Sequence, residues 1–419
     1  MSKTSLYSQG VIAQVSTFAT VLSVLQNRNV NADLVAIPRD LTVGEGFGAD
    51  TSLCFRPYAG GVYSPAQNRV YLIPYGPGPG GGDTTHWHYF NCQTNQLVAY
   101  VPVSDVSVAK ACYGGAYSPV QNRIYFAPYG ESNATNWHYI DCNNDISVTY
   151  SNGTGVTPVQ YGYQGAVYSA VLNRIYFIPY NQIDPTAGWH YVNCANGSLT
   201  SYTQVGVPSL HLNAYSGGIY YNGCVYFVPA AQGGYSTWHY IDNVGTIQSY
   251  PAAALGGWFS GGVLDPVTGR IYLTPNATGV SQTNLYYLDV TRNPPVLNSY
   301  TNELNGICHG TNGGIYSPLQ NEIIFVPGGT SLYADQYFYT LNLTNLNILS
   351  YPNPQYHNSF GIGAYTDAYI GGVYSVTNNM GYFIPNAICT VTLNPILRVK
   401  IESADIISRQ YFIGNPLNS

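Results

Sequence analysis

Short runs that alternate apolar and polar residues, separated by Gly, Pro and Asn, extend along most of the chain. In the first clear stretch these runs occupy residues 60–64, 69–74, 87–91 and 97–101. Alternation with period two, rich in aromatic and β-branched residues, predicts strands joined by turns. Nothing in this stretch has the 3.6-residue spacing of a helix. The pattern therefore predicts an all-β fold.

The same four-run segment recurs seven times, beginning with GGVYSPAQNRVYLIPY and continuing, after a loop, with WHYFNC. One glycine anchors each copy, at a step of roughly fifty residues that is typical of propellers, solenoids and arrays. These glycines are Gly61, Gly115, Gly165, Gly218, Gly262, Gly314 and Gly372. Seven four-stranded copies predict a seven-bladed β-propeller of four-stranded blades. A parallel β-helix is the rival fold, but its rungs are much shorter than this repeat.

Side-chain size indicates the order of strands within a blade. The Gly-Gly pair suits the innermost strand, where backbones approach closely near the axis. The Arg-Ile-Tyr-Phe run is expected second, Trp-His-Tyr third, and the more polar run outermost. This order resembles the repeats of the NHL and YVTN classes of propeller, and the resemblance covers residues 60 to about 393. It implies architecture only.

The two ends of the chain are predicted to close the ring. The last copy supplies its third strand from residues 388–393, and residues 33–38 resemble an outer strand with no blade before it. We expect 33–38 to be the closing strand; residues 397–401 are the competing assignment. The predicted divisions are an anchor or assembly segment at 1–32, the propeller at 33–395 and a C-terminal tail at 396–419.

The N-terminal segment carries no charge between residues 4 and 27 and is predicted to be a helical or extended anchor. Its apolar residues recur at steps of four and three, which on a helix gives one apolar seam. The residues of this anchor helix are Val11, Val15, Phe18, Leu22 and Leu25. Packing against other copies or a scaffold protein is the favoured interpretation. A membrane span, a signal peptide and an extended arm are the alternatives.

Charge is scarce and tyrosine is abundant. Asp, Glu, Lys and Arg make up 32 of the 419 residues, and tyrosine 42. No cluster of Lys or Arg is present and the formal net charge is −6, which argues against nucleic acid as a partner. The eight cysteines form no CxxC motif, so we expect no metal site. A weakly charged surface rich in Tyr, Asn and Gly is typical of proteins that are exposed to the external environment or packed permanently against neighbouring proteins.

The Trp-His-Tyr triplets are the most conspicuous candidates for chemistry, because four histidines in equivalent registers could bind a metal. Each triplet belongs to a different predicted blade, however, and alternation places Trp and Tyr on one face of a strand and His on the other. We therefore expect structural packing between blades. The residues are Trp87, His88, Trp137, His138, Trp189, His190, Trp238 and His239.

No catalytic motif is apparent. The acidic residues show no repeated pair of the kind that glycosidases use, and the chain has no GxSxG elbow. The glycine-rich run 76–82 lacks the GK[ST] of a phosphate-binding loop. We therefore expect a protein that is not an enzyme and needs no cofactor; a hydrolase is the remote alternative.

Recognition is expected where the copies differ. The links between second and third strands, and between blades, vary freely and would emerge on one face of a propeller. Their Tyr, Asn and Gly content suits adaptable binding, although unconstrained loops would vary in the same way. The candidate recognition residues are Asp83, His86, Asn133, Asn136, Asp184, Tyr235, Asn284, Tyr333 and Tyr369.

The repeat style and low charge are similar to those of structural proteins of large DNA viruses and bacteriophages. The resemblance implies a virion surface protein in an oligomeric assembly, bound to a capsid, tail or scaffold protein through residues 1–30. A host receptor or glycan would then bind at the loop face. A secreted or surface lectin-like propeller and a purely architectural module are the alternatives.

Overall fold

A computed structural model describes fifteen segments of the chain, and all of them are built from β-strands, turns and short connections. The described residues are 30–35, 58–75, 87–100, 112–129, 137–150, 160–181, 188–202, 213–230, 237–251, 258–276, 284–301, 310–328, 337–352, 369–385 and 396–401. The predicted all-β architecture of four-stranded propeller blades is confirmed.

Six blades each consist of four consecutive antiparallel strands, hydrogen-bonded in chain order. The first two are β2 (Tyr58–Ser64), β3 (Arg69–Pro74), β4 (Trp87–Asn91), β5 (Gln96–Tyr100), and β6 (Cys112–Ser118), β7 (Arg123–Pro128), β8 (Trp137–Asp141), β9 (Ile146–Tyr150). The third and fourth are β10 (Tyr163–Ser169), β11 (Arg174–Pro179), β12 (Trp189–Asn193), β13 (Ser198–Tyr202), and β14 (Tyr215–Tyr221), β15 (Cys224–Pro229), β16 (Thr237–Ile241), β17 (Ile247–Pro251). The fifth and sixth are β18 (Trp258–Asp265), β19 (Arg270–Asn276), β20 (Leu285–Asp289), β21 (Val296–Tyr300), and β22 (Thr311–Ser317), β23 (Glu322–Pro327), β24 (Tyr337–Asn342), β25 (Ile348–Pro352).

A further four-stranded sheet combines the two ends of the chain. It contains β1 (Val30–Val35), β26 (Tyr369–Ser375), β27 (Met380–Pro385) and β28 (Ile396–Ile401), in the order β1-β28-β27-β26. β1 is antiparallel to β28, with Val30 opposite Ile401 and Val35 opposite Ile396. The last copy of the repeat thus takes its outer strand from the N-terminal part of the chain; we call this sheet the composite sheet.

The composite sheet corrects several sequence-based boundaries. Six blades, rather than the predicted seven, are built from consecutive strands. The predicted closing strand 33–38 overlaps the end of β1. Residues 396–401 were expected to begin a tail, but they form β28, because their alternating pattern pairs with β27 on one side and β1 on the other. The expected third strand at 388–393 and the anchor segment up to residue 29 lie outside the described residues.

Glycines hold the inner strands close to one another. β2, β6, β10, β14, β22 and β26 each have a β-bulge with a glycine at positive φ, a conformation that other residues rarely adopt. A Cβ atom added at Gly114 would lie 3.0 Å from the Cα of Gly165 in the next blade. One added at Gly371 would lie 3.8 Å from the Cα of Gly60, so the last inner strand meets the first. Gly165, which the repeat aligned with Gly61 and Gly115, instead occupies the positive-φ position that Gly60 and Gly114 hold in the first two blades.

The core lies between blades. The apolar core between the second and third blades brings Tyr125 and Trp137 of one against Ile175, Phe177 and Cys194 of the other. The two sets of side chains come from opposite faces of equivalent strands, as period-two alternation requires. The cores between the first and second, third and fourth, fourth and fifth, and fifth and sixth blades likewise bury tyrosines of one blade against aliphatic residues of the next.

The glycine contacts near the axis predict a position-dependent loss of stability. Gly114→Ala combines φ +76° with a 3.0 Å approach to the Gly165 backbone, whereas Gly371→Ala has a similar φ of +69° and its nearest neighbour, the Gly60 Cα, at 3.8 Å. Both should incur a backbone cost of roughly 1–2 kcal/mol, and Gly114→Ala a further loss because backbone cannot move aside. Urea denaturation of both variants measures the difference. Equal losses would contradict close axial packing at Gly114.

Candidate binding face

Strand direction divides the connections between two faces of the molecule. Turns from first to second strand and from third to fourth strand share one face, which we call the turn face. Links from second to third strand and from blade to blade share the other, the variable-loop face. Turns on the turn face repeat one geometry, with asparagine in the left-handed region at Asn68, Asn122, Asn173, Asn321 and Asn379.

The Trp-His-Tyr triplets lie between blades. His88, His138, His190 and His239 are all buried, as are Trp137, Trp189 and Trp238. The indole of Trp137 packs against Phe177 and His190 of the third blade, with ring centroids 4.9 and 5.3 Å apart. Trp189 packs in the same way against Phe227 and His239 of the fourth. The repeated aromatic triplet therefore contributes to inter-blade packing.

Each described triplet histidine is fixed by a hydrogen bond at Nδ1. The hydroxyl of Tyr58 lies 2.7 Å from His88, and those of Tyr163 and Tyr215 lie 2.5 Å from His190 and His239. In the second blade Cys112 replaces this tyrosine, and His138 instead lies 3.2 Å from the Thr149 hydroxyl. Burial lowers the pKa of His138, His190 and His239 to about 4, so these imidazoles are neutral at pH 7.

Arginines on the second strands also have structural contacts. The guanidinium groups of Arg69, Arg123, Arg174 and Arg270 lie 4.3–4.9 Å from the ring centroids of third-strand tyrosines. Arg69 additionally donates to both carboxylate oxygens of Asp145 in the second blade, at 2.9 and 2.7 Å. These cations therefore stabilise the turn side of the blades and are not grouped into a charged patch.

Five half-buried tyrosines meet at the variable-loop face of the first three blades, and we call them the tyrosine cluster: Tyr75, Tyr113, Tyr129, Tyr161 and Tyr180. Tyr129 is central, with ring centroids 5.0 Å from Tyr113 and Tyr161, 5.9 Å from Tyr75 and 6.0 Å from Tyr180. The cluster bridges three blades. It combines aromatic surface with hydroxyls, as binding sites often do.

The backbone at Tyr161 is in a costly conformation. Its φ of +59° lies in the left-handed region, which bulky residues seldom adopt; the equivalent residue of the next blade is Asn213, with φ +61°. Hydrogen bonds fix the position: the Tyr161 amide donates to the Tyr129 carbonyl at 2.7 Å, and the Asn181 amide donates to the Tyr161 carbonyl at 3.1 Å. A strained residue held within an aromatic cluster is a reason to suspect function.

Two hydroxyls of the cluster, those of Tyr129 and Tyr180, stay protonated at physiological pH. Burial, followed by the neighbouring tyrosines of the cluster, raises the pKa of Tyr129 well above its ordinary value. Burial also raises the pKa of Tyr180. The cluster therefore offers neutral donors and acceptors beside aromatic rings, which suits an uncharged polar ligand.

The structure describes only two of the nine predicted recognition residues. Asp83, His86, Asn133, Asn136, Asp184, Tyr235 and Tyr333 lie outside the described residues. Asn284 lies half-buried just before β20. Tyr369 was expected in a loop, but it begins β26, is fully buried, and packs on Phe383 with ring centroids 5.8 Å apart. Its place at the start of an inner strand, equivalent to Tyr58 and Tyr163, explains the burial.

Sequence reasoning missed the tyrosine cluster, although the chain carries a signal for it. Tyr75, Tyr129 and Tyr180 each follow the proline that ends a second strand, while the next copies have Ala230, Asn276 or Gly328 at that place. This difference lies at the edge of the repeat, where it resembles ordinary loop variation. Only the fold brings these tyrosines together with Tyr113 and Tyr161.

Within the described segments, no three His, Cys, Asp or Glu side chains lie close enough together to hold a metal ion. Within the same segments, no helix has the length and apolarity needed to span a membrane.

Comparisons with known proteins identify the fold and nothing finer. No family model and no curated protein matches the chain. Among solved structures, a streptogramin B lyase matches with a TM-score of 0.57 at 12% identity, covering 89% of this chain and 98% of the other. A fungal alcohol oxidase of the AA5 family, in complex with copper, matches with a TM-score of 0.57 at 14% identity over 83% and 75% of the two chains. U3-55K matches at 0.55 and 7%, over 82% and 95%.

The buried histidines predict that stability falls with acidification. Their ordinary pKa is 6.5, and the folded value is about 4 for three of them. Below pH 6.5 the unfolded chain therefore binds protons that the folded chain does not, and the free energy of unfolding decreases as pH falls toward 4. Urea titrations from pH 7 to 4.5 measure this slope. The double variant His190→Gln/His239→Gln should have a shallower slope; the same slope would show that these histidines are not the cause.

Proposed function

We propose that this protein is a non-enzymatic recognition module that binds a partner at the variable-loop face and is anchored from the opposite, turn face. One observation supports this polarity most strongly. β27 starts at the turn face; β28 is antiparallel to it and β1 antiparallel to β28, so Val30 and Ile401 both lie at the turn face. The segments before Val30 and after Ile401 are therefore attached at the turn face, on the opposite side from the variable loops.

We further propose that the composite sheet acts as a seventh blade that completes the ring. Its support is contact with the first blade at several radii. Gly371 approaches Gly60 near the axis, Asn68 donates to Asn378 at 3.1 Å, and the rings of Phe90 and Tyr382 lie 5.1 Å apart. With ring closure by both ends of the chain, the loop face is a continuous rigid platform.

The non-enzymatic assignment is supported by what the polar side chains of the described blades do. The triplet histidines are buried, and three of them have lowered pKa values. Arg69, Arg123, Arg174 and Arg270 are stacked on tyrosines. Side chains with these structural contacts are unsuited to acid–base or nucleophilic chemistry. The tyrosine cluster is different, because it joins aromatic surface to neutral hydroxyls at the end of three blades.

The setting we propose is the surface of a virion, with residues 1–30 bound to a capsid, tail or scaffold protein within an oligomeric assembly. The low charge and the repeat style support this proposal, and so does the exit of the N-terminal segment on the turn face. The variable-loop face would then contact a host receptor or glycan. A free lectin-like propeller is the second candidate, and the tyrosine cluster favours it because tyrosine rings stack on sugars.

Deletion separates the two settings. A chain lacking residues 1–29 keeps β1 and should therefore still unfold in one cooperative thermal transition and retain ligand binding. In particles assembled in its presence, the truncated chain should be incorporated at least tenfold less than the full chain, as measured by quantitative immunoblotting of purified particles. Equal incorporation would contradict anchoring through this segment, and absence of the full chain from particles would leave the lectin as the supported function.

The tyrosine cluster is tested by binding to an array of neutral oligosaccharides and to host-cell surface glycoproteins. Tyr75→Ala and Tyr113→Ala should each weaken binding about tenfold, equivalent to about 1.4 kcal/mol, because each removes one ring from the cluster. Tyr117→Ala is the matched control, since it removes a half-buried tyrosine from the turn side. Equal effects of all three substitutions would contradict a site at the cluster.

A further inference from the structure

The turn face carries a circle of exposed apolar side chains. Val120, Val171, Val267 and Leu319 occupy the same position in four of the turns from first to second strand, and 53–74% of each residue is exposed. Ala66 occupies this position in the first blade, Val376 lies one residue before it in the composite sheet, and Val244 lies in the third-to-fourth turn of the fourth blade. Together we call these the apolar turn ring: Ala66, Val120, Val171, Val244, Val267, Leu319 and Val376. Single exposed valines need no explanation, but recurrence at one turn position on one face does.

Five of the seven turns that carry the ring are held in place by a hydrogen bond. A tyrosine near the end of the first strand donates its hydroxyl to the side chain of the left-handed asparagine that ends the turn. The pairs are Tyr63–Asn68 and Tyr117–Asn122 at 2.9 Å, Tyr168–Asn173 and Tyr316–Asn321 at 3.1 Å, and Tyr374–Asn379. A surface fixed in this way loses little conformational freedom on binding, so it is preorganised to receive a partner.

The turns between first and second strands are uncharged, and neighbouring turns touch. None of the turns at 65–68, 119–122, 170–173, 222–223, 266–269, 318–321 and 376–379 contains Asp, Glu, Lys or Arg. The charges on this face belong to second-strand arginines and to third-to-fourth turns; Arg69 pairs with Asp145 and Arg123 with Asp141, and Val244 shares its turn with Asp242. Across one blade boundary, Val171 lies 3.8 Å from where a Cβ at Gly223 would be. Across another, the Tyr63 hydroxyl lies 3.0 Å from that of Thr377. These uncharged apolar turn tips fit an apolar, uncharged occupant.

The topology attaches one such candidate, the N-terminal segment, at the edge of this face. β1 begins with Val30 at the turn end of the outermost strand of the composite sheet, so residue 29 is attached at the rim of the turn face. Three strand spacings, about 14 Å, separate an outer strand from an inner one. Twenty residues of helix would span about 30 Å. The N-terminal segment is therefore long enough to cross from the rim to the ring.

The chemistry of that segment matches the ring. Residues 4–27 contain no charge, and their apolar seam holds Val11, Val15, Phe18, Leu22 and Leu25. The C-terminal residues 402–419 leave from the same face, but they carry Glu402, Asp405 and Arg409. Desolvating those charges against an apolar ring would be unfavourable. Attachment to the same molecule also gives the N-terminal segment a high effective concentration at the face.

We propose that the apolar turn ring is the docking surface for residues 1–29 of the same chain, which cover it with their apolar seam. The hydroxyl-bearing side of the segment, including Ser16, Thr17 and Thr20, then faces outward and forms the surface that an anchoring partner meets. This inference does not depend on the ligand of the variable-loop face or on a virion setting.

The test is thiol labelling of purified protein with a maleimide reagent. Val171→Cys places a thiol in the ring; Ser299→Cys is the control, because it is exposed near the variable-loop end of the outer strand β21 and so lies away from the turn face. In the full chain Val171→Cys should react at least tenfold more slowly than in the chain lacking residues 1–29, while Ser299→Cys reacts equally in both. The parent protein supplies the background from native cysteines.

A second variant keeps the chain length and guards against misfolding of the truncated protein. Phe18→Ser/Leu22→Ser should release the protection of Val171→Cys while the propeller still unfolds in one cooperative thermal transition, with a midpoint lowered only by the loss of docking. Equal labelling of Val171→Cys in all chains would overturn the proposal. Protection lost only when residues 402–419 are removed would assign the ring to the tail instead. Protection that disappears on dilution would place the segment of a second copy there, and protection gained only with lipid vesicles would indicate a membrane; each outcome would overturn docking within one chain.

Discussion

The structure depends on one contact that recurs between blades: the tyrosine- and tryptophan-rich face of one sheet packs against the aliphatic and phenylalanine-rich face of the next. Tyr125 and Trp137 meeting Ile175 and Phe177 is the clearest instance. A single four-stranded sheet has two apolar faces and cannot cover both by itself. Radial repetition solves this problem, and the glycine contacts near the axis allow the inner strands to come close enough for it.

This contact also determines where function can lie. Histidines and arginines that would attract attention in another fold are used here to complete inter-blade packing or to stack on tyrosines. The groups that remain available for binding therefore lie at the ends of the strands. The turn face is uniform, locked by tyrosine–asparagine hydrogen bonds and apolar at its tips, and the variable-loop face carries the tyrosine cluster. The two faces are chemically distinct surfaces of one rigid body.

The sequence was sufficient to predict most of the blades and insufficient for the site. Strands such as β3 and β4 were predicted to the residue, because alternation and turn residues are local signals. Tyr369 was misplaced because its burial depends on being the first residue of an inner strand. β28 was assigned to a tail because the third strand of the last copy was placed at residues 388–393 and because the outer partner of β28, β1, lies far away in the sequence. The tyrosine cluster unites residues from three blades, and such proximity cannot be deduced from spacing.

The central claim, that the two ends of the chain pair in one sheet and so leave from the turn face, is tested most directly by a cross-strand disulfide between β1 and β28. Asn31 lies opposite Lys400 in the antiparallel register, and directly opposed residues have the separation that a disulfide needs. The pair Asn31→Cys/Lys400→Cys should therefore oxidise readily and give a linked peptide in a mass-spectrometric digest. The control pair Ala32→Cys/Lys400→Cys should not, because a shift of one residue turns the side chain to the other face. Absence of the link in the first pair, or equal linking in both, would contradict the account.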